Sequence, residues 1–181
     1  VKEYILEVKK LIPEEYCKKI ISYYDNNLIT AQTVGGENRK IRNCDTRPIT
    51  KDSFGKKICF NYIEKTIFDC VSFYEKSIEK TDVNKISSLE ILKYVANEYD
   101  AGYKFHRDFG TEVTKRAFSI SICLNNSFTG GEFVFDLGKE GKIQYPQNIG
   151  DAVMFPSNFM FPHQVNKVTK GIRYAIIGWV Y

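Results

Sequence analysis

The sequence predicts a mainly β fold with supporting helices, and three observations carry that prediction. Beyond residue 86, short apolar runs follow one another, separated by Asn-Asn, Gly-Gly, Pro or Gly, which is the texture of an all-β sandwich or barrel. Before residue 86, two stretches repeat their apolar residues at helical spacing, as helices packed on a sheet do. A length of 181 residues suits a single domain that buries one good core. The expected organisation is one domain over 1–181, with helical support and a mobile loop over 1–85 and a β core over 86–181.

The first helix is expected in "IPEEYCKKIISYYD", where Pro13 suits a first turn and Glu14 and Glu15 complement the helix dipole. Tyr16, Ile20 and Tyr24 recur every fourth residue and predict one apolar face. A longer helix is expected in "GKKICFNYIEKTIFDCVSFYEKSIEK", where Ile58, Tyr62, Ile63, Ile67, Cys70, Val71, Tyr74 and Ile78 trace the core-facing stripe. Between them "TVGGENRKIRNCDTRPIT" is polar and turn-prone, and reads as a mobile loop with a strand at its end.

The strands follow as "SSLEILKYVA", "RAFSISICLN", "GEFVFDL", "GKIQYP", "GDAVMFP" and "GIRYAIIGWVY". Side chains alternate along a strand. Phe118, Ile120, Ile122 and Leu124 therefore share one face, suited to a helix layer. Ala117, Ser119, Ser121 and Cys123 share the other, suited to a cavity wall. Arg173, Ala175, Ile177 and Trp179 also share a face. A guanidinium on that mostly apolar face needs an anion, because an unpaired buried charge is costly. A bound carboxylate and a distant Asp or Glu are equal candidates for the partner.

Composition narrows the function classes. A net charge of +4, with no Lys/Arg block interleaved with aromatics, argues against nucleic acid as a partner. No apolar run approaches a membrane span, and the first residues lack a secretory core and cleavage site, so neither a membrane nor a signal peptide is expected. Five cysteines at scattered spacing predict reduced thiols and a cytoplasmic setting. Nothing in the sequence fixes an oligomeric state.

The chemistry concentrates on two histidines, the only ones in the chain. His106 stands two residues before Asp108, so both can reach one point from a strand. His163 would complete two imidazoles and a carboxylate on one face of a metal, the arrangement of non-haem Fe(II) oxygenases. Zinc held by three protein ligands and a water is the chemical competitor. A metal-holding β-barrel without catalysis is the rival of a different class.

From Leu89 to Tyr181 the chain resembles the catalytic domain of the Fe(II)/2-oxoglutarate dioxygenases, in particular their prolyl 4-hydroxylase branch. The resemblance is carried by "LKYVANEYDAGYKFHRD", then "RAFSISICLNNSFTGGEFVF", then "GDAVMFPSNFMFPHQVNKVTKGIRYAIIGWVY", and extends loosely to "LIPEEYCKKII". It implies a double-stranded β-helix (jelly-roll) core. It also implies Fe(II), the cosubstrate 2-oxoglutarate and O2, with ascorbate (vitamin C) as an optional reductant. Hydroxylation of a peptide or protein is implied, foremost at proline, with release of succinate and CO2; another side chain or a free amino acid is the alternative.

Position by position, the resemblance implies His106, Asp108 and His163 as iron ligands and Arg173 as the partner of the distal carboxylate of 2-oxoglutarate. It places Tyr94 and Tyr103 by the cosubstrate, and Arg116 and Trp179 by the substrate. The turns at Gly130–Glu132 and Gly150–Asp151 are structural. One departure is Cys123, where the oxygen-sensing members have a cosubstrate-binding tyrosine. The second donor to the distal carboxylate is then unassigned, with Ser119 or Ser121 as candidates.

Overall fold

The computed structural model describes residues 1–97, 100–110 and 115–181. Strand β1 (Leu6–Val8) is followed by helix α1 (Glu14–Tyr24) and by five short strands, β2 (Ile29–Thr30), β3 (Gln32–Thr33), β4 (Gly36–Glu37), β5 (Arg42–Asn43) and β6 (Asp45–Pro48). Helix α2 (Phe54–Ser77) comes next, then β7 (Ile86–Val95), β8 (Gly102–His106), β9 (Phe118–Cys123), β10 (Phe128–Gly130) and β11 (Phe133–Asp136). Four more strands, β12 (Lys142–Tyr145), β13 (Ala152–Pro156), β14 (His163–Val165) and β15 (Val168–Val180), complete the chain. The described helices include none long and apolar enough to cross a membrane.

Two antiparallel sheets form a jelly roll. The larger runs β1-β13-β9-β15-β7-β6-β2, with β10 also on β15, and the smaller runs β12-β11-β14-β8-β5. One apolar core lies between the helices and the larger sheet, where Ile63, Ile67 and Tyr74 of α2 meet Phe118, Ile120 and Ile122 of β9. A second core lies between the sheets, with Leu92, Tyr94, Ile177 and Trp179 on one side and Phe133, Phe135 and Val165 on the other. The alternation in β9 and β15 thus sends bulky aliphatics to the helices and leaves the opposite face for the interior of the roll.

Both helices begin where expected. Pro13 stands at the N-cap of α1, ahead of Glu14 and Glu15, and Cys17, Ile20 and Tyr24 are its buried residues. Tyr16 is only half buried and stacks on Tyr62 at 4.4 Å. Ser53 caps α2 by accepting from the Lys56 N–H, the local bond that favours serine at a helix start. Ile63, Ile67, Cys70, Val71 and Tyr74 of its expected stripe are buried, and the stripe departs from expectation at its N-terminal end. Cys59 is buried while Ile58 is 49% exposed, because the helix crosses the sheet on its 59-63-67-70-74 line.

The 33–50 stretch, expected as a loop ending in a strand, instead carries several short pairings. β3 and β4 form a hairpin, β5 pairs with β8, and β6 pairs with β7. Arg39 holds the segment together through Asn43, Asp45 and Thr30, supplying from side chains the order its sparse apolar content cannot. The Gly150–Asp151 turn pins the N-terminal segment: the Asp151 carboxylate accepts from the Lys10 and Asn148 N–H groups. A Cβ at Gly150 would stand 2.1 Å from the Ile12 carbonyl, so only glycine fits.

Candidate active site

His106 ends β8 and His163 opens β14, and the two are paired directly across the antiparallel ladder. Asp108 lies two residues beyond the end of β8, in a bend, so it reaches the imidazoles from the turn and not along a continuous strand. Ligand atoms of the three all lie within 4.8 Å of one another. His106 Nε2 is 3.6 Å from Asp108 Oδ1, and His163 Nε2 is 3.8 Å from Asp108 Oδ2.

Each imidazole is oriented from behind by the carbonyl two residues before it. His106 Nδ1 lies 2.9 Å from the Lys104 oxygen and His163 Nδ1 lies 3.0 Å from the Phe161 oxygen. A carbonyl only accepts, so Nδ1 carries the proton and both Nε2 lone pairs face the shared point. Packing fixes the ring planes. Tyr103 stacks on His106 at 3.5 Å, and Phe133 stacks on His163 at 5.1 Å. Tyr103 can do so because β8 holds an extra residue between its pairings with His163 and Val165. Such a bulge resets the alternation and brings residues 103 and 106 to one face.

The carboxylate is held by the larger sheet. Asp108 Oδ2 accepts from Ser119 Oγ at 2.6 Å and from Trp179 Nε1 at 2.9 Å. Ser119 and Trp179 are themselves direct cross-strand partners in the β9–β15 ladder. Ser119 spends its only proton on Asp108, so the 2.7 Å contact between its Oγ and that of Ser157 has Ser157 as donor.

Burial opposes ionisation of Asp108, but the neighbouring imidazoles and these donors outweigh it and hold its pKa below the usual carboxylate value. Burial, and then the charge of a protonated His163, push the pKa of His106 well below the ordinary imidazole value. Both shifts favour an ionised carboxylate and a neutral imidazole, the forms that bind a metal.

All eight side chains singled out in the sequence line one cavity of about 290 Å³: the three candidate ligands with Tyr94, Tyr103, Arg116, Arg173 and Trp179. Arg173 is 1% exposed. No Asp or Glu among the described residues pairs with it; its hydrogen-bond partner is the neutral Gln147, with Nη2 donating to Oε1 at 2.8 Å. Its Nε is buried without a partner among the described residues. Of the two candidates for its counter-ion, a bound carboxylate is the one that matches this environment.

Tyr94 lies beneath the guanidinium, whose Cζ is 5.4 Å from the ring centroid, and burial pushes its phenol pKa up. Gly131, at φ +70°, lets the arginine stem pass, since a Cβ there would stand 2.8 Å from Arg173 Cδ. The Arg116 guanidinium lies over Trp179, with Cζ 3.8 Å from the ring centroid.

Of the candidate second donors, Ser119 is committed to Asp108, while Ser121 lines the cavity. Cys123 turns its thiol to the Asn125 carbonyl at 3.1 Å. Sequence reasoning missed Arg42 and Glu90, which also line the cavity. Arg42 stands 5.1 Å from the centroid of the Tyr103 ring, brought there by the β5–β8 pairing. It missed the roles of Ser119, Ser157 and Gln147 as well, although the small polar face of β9 was a visible signal.

The donor set is that of a 2-His-1-carboxylate iron centre, and Arg173 beside it, paired with no Asp or Glu among the described residues, fits a dicarboxylate cosubstrate. Residues 89–181 match the model of the 2OG-Fe(II) oxygenase superfamily. A PKHD-type hydroxylase of Idiomarina loihiensis is 24% identical over 97% of this chain and 77% of its own. A Trichoplax adhaerens prolyl hydroxylase, solved with a hypoxia inducible factor peptide fragment, shares the fold at a TM-score of 0.84 and 15% identity, covering 99% of this chain and 84% of its own. The viral collagen prolyl hydroxylase of Paramecium Bursaria Chlorella virus-1 does so at 0.73 and 14% identity, covering 98% and 95%. The match over half the chain, ending in the residues that build this cavity, makes the protein a member of the 2OG-Fe(II) oxygenase superfamily, a 2-oxoglutarate-dependent dioxygenase using Fe(II) and O2.

Proposed function

We propose that this dioxygenase hydroxylates a C–H bond of a peptide or protein, foremost at a prolyl residue. The observation that carries the reading is the buried Arg173, paired with no Asp or Glu among the described residues, beside the His106–Asp108–His163 cluster. A barrel kept only for structure or for metal storage has no use for an uncompensated guanidinium at that place. Relatives named as hydroxylases, and a neighbour of the same fold solved with a peptide, support the choice of substrate.

His106, Asp108 and His163 hold the iron in this reading, and Arg173 grips the distal carboxylate of 2-oxoglutarate with a fork that suits it bidentately. The bound pair supplies the oxidising power, with 2-oxoglutarate lost as succinate and CO2 while one oxygen enters the substrate. The protein's own residues set the geometry. Ser119 and Trp179 hold one carboxylate oxygen of Asp108, the Lys104 and Phe161 carbonyls hold the imidazole tautomers, and Tyr94 and Tyr103 wall the cosubstrate from water. Arg116, fixed on Trp179, faces the substrate side. Residues 86–181 form the catalytic core of a single domain that 1–85 brace. The five buried free cysteines support a cytoplasmic setting.

The test is mass spectrometry of a proline-containing peptide panel after incubation with Fe(II), 2-oxoglutarate and O2. A gain of one oxygen at proline, absent with His106→Ala, is the expected result. Succinate formation with no oxidised peptide, but with an oxidised free amino acid, would move the substrate to that class.

A further inference from the structure

We propose that Gln147 is a positioning residue of the cosubstrate site, and that its neutrality is what makes the cavity select a dicarboxylate. The inference rests on the assignment of Arg173 to the distal carboxylate and concerns how that arginine is kept ready. Gln147 lies in the loop between β12 and β13, where Oε1 accepts from Arg173 Nη2 at 2.8 Å and Nε2 donates to the Ser121 carbonyl at 3.1 Å. One end of the side chain faces a donor and the other faces an acceptor. An amide satisfies both, whereas a carboxylate would present an oxygen to the Ser121 carbonyl with no hydrogen between them.

The backbone that carries Gln147 is tied to the same strand. The Gly150 N–H donates to the Cys123 carbonyl at 2.8 Å, and the Cys123 N–H donates to the Asp151 carbonyl at 2.9 Å. The Asn148 N–H donates to the Asp151 carboxylate at 3.0 Å. The amide is therefore fixed against β9, and through it the guanidinium is fixed on β15.

The electrostatic consequence follows from the charges present. A buried guanidinium is ordinarily neutralised by a carboxylate, because an uncompensated interior charge is strongly disfavoured. Here the described residues give Arg173 an acceptor for one Nη2 proton but no opposite charge, and leave Nε without a partner. The missing negative charge arrives with the ligand. A glutamate at 147 would supply it from within the protein and so compete with the distal carboxylate. The neutral amide orients the arginine without cancelling it, and rejects 2-oxo acids that lack a second carboxylate by leaving the charge unpaired.

The experiment measures binding, not turnover, on the Zn(II)-loaded protein by calorimetric titration. The probes are 2-oxoglutarate and 2-oxobutanoate, which keeps the chelating end and lacks the distal carboxylate. Gln147→Glu should weaken 2-oxoglutarate by about 30-fold or more, and the neutral Gln147→Met by roughly threefold to tenfold. 2-Oxobutanoate, weak throughout, and Zn(II) itself should both stay within about twofold of wild type.

Equal losses in the Glu and Met variants would overturn the charge argument. Equal losses for both 2-oxo acids would reduce Gln147 to a structural residue. Wild-type affinity for 2-oxoglutarate in Gln147→Met would show that it positions nothing, a result that stands even if Gln147→Glu fails to fold. Absence of 2-oxoglutarate binding by the wild-type protein would instead remove the Arg173 assignment, and this inference with it.

Discussion

Trp179 Nε1 stands 2.9 Å from Asp108 Oδ2, although the two residues are 71 positions apart. The indole at the end of the last strand is thereby a direct support of the carboxylate on the metal side of the cavity. Trp179→Phe keeps most of the ring and removes the donor, and Ser119→Ala removes the other. Each should lower metal affinity roughly tenfold, as loss of a hydrogen bond behind a ligand generally does. Anaerobic titration with Fe(II) or Co(II) reads the effect. Unchanged affinity in both variants would mean that Asp108 does not ligate.

Arg173→Lys should separate the two halves of the site. A point charge on a different stem loses the fork and its bond to Gln147, at a cost to cosubstrate binding of roughly 2–5 kcal/mol. Metal affinity should be unaffected. Paired titrations with metal and with 2-oxoglutarate check the split, and a parallel fall in both would contradict it.

Gly131→Ala tests the passage of the arginine stem. The new Cβ would meet Arg173 Cδ at 2.8 Å, on backbone at φ +70°. Gly141→Ala is the control, because Gly141 has φ +81° with nothing within 4 Å. Both should lose about 1–3 kcal/mol of stability to backbone strain, read by denaturant unfolding. Only the first should also weaken 2-oxoglutarate.

The pH dependence has a definite sign. The pKa of His106 is depressed by burial in the folded chain, so below about pH 6.5, the ordinary imidazole value, the unfolded chain binds a proton that the native one refuses. Stability of the metal-free protein should therefore fall as pH drops below that value. The depressed Asp108 adds stability present above the ordinary carboxylate range and lost as acid titrates its folded form. Burial of His106 moves proton competition at that ligand lower, so affinity titrated from pH 7.5 to 5 should hold past neutrality before it declines.

Much of this site was legible in the chain because its chemistry is carried by scarce residues. Two histidines and one arginine on an apolar strand face leave few alternatives, and the alternation in "RAFSISICLN" and "GIRYAIIGWVY" already separates helix-facing from cavity-facing positions. What escaped depends on register. The pairing of Trp179 with Ser119, which brings both Asp108 donors together, is a property of two strands that neither reveals alone. The extra residue in β8 that turns Tyr103 onto His106 is invisible for the same reason. Arg42 escaped because its segment is too polar to read as strand, and Gln147 because a neutral partner for a buried guanidinium leaves no charge pattern to find.

The imidazoles stand on the smaller sheet, while the donors that hold the carboxylate come from the larger one. A metal held by this cluster would therefore bear on both layers at once, so that filling the site should oppose their separation and raise the resistance of the whole roll to unfolding.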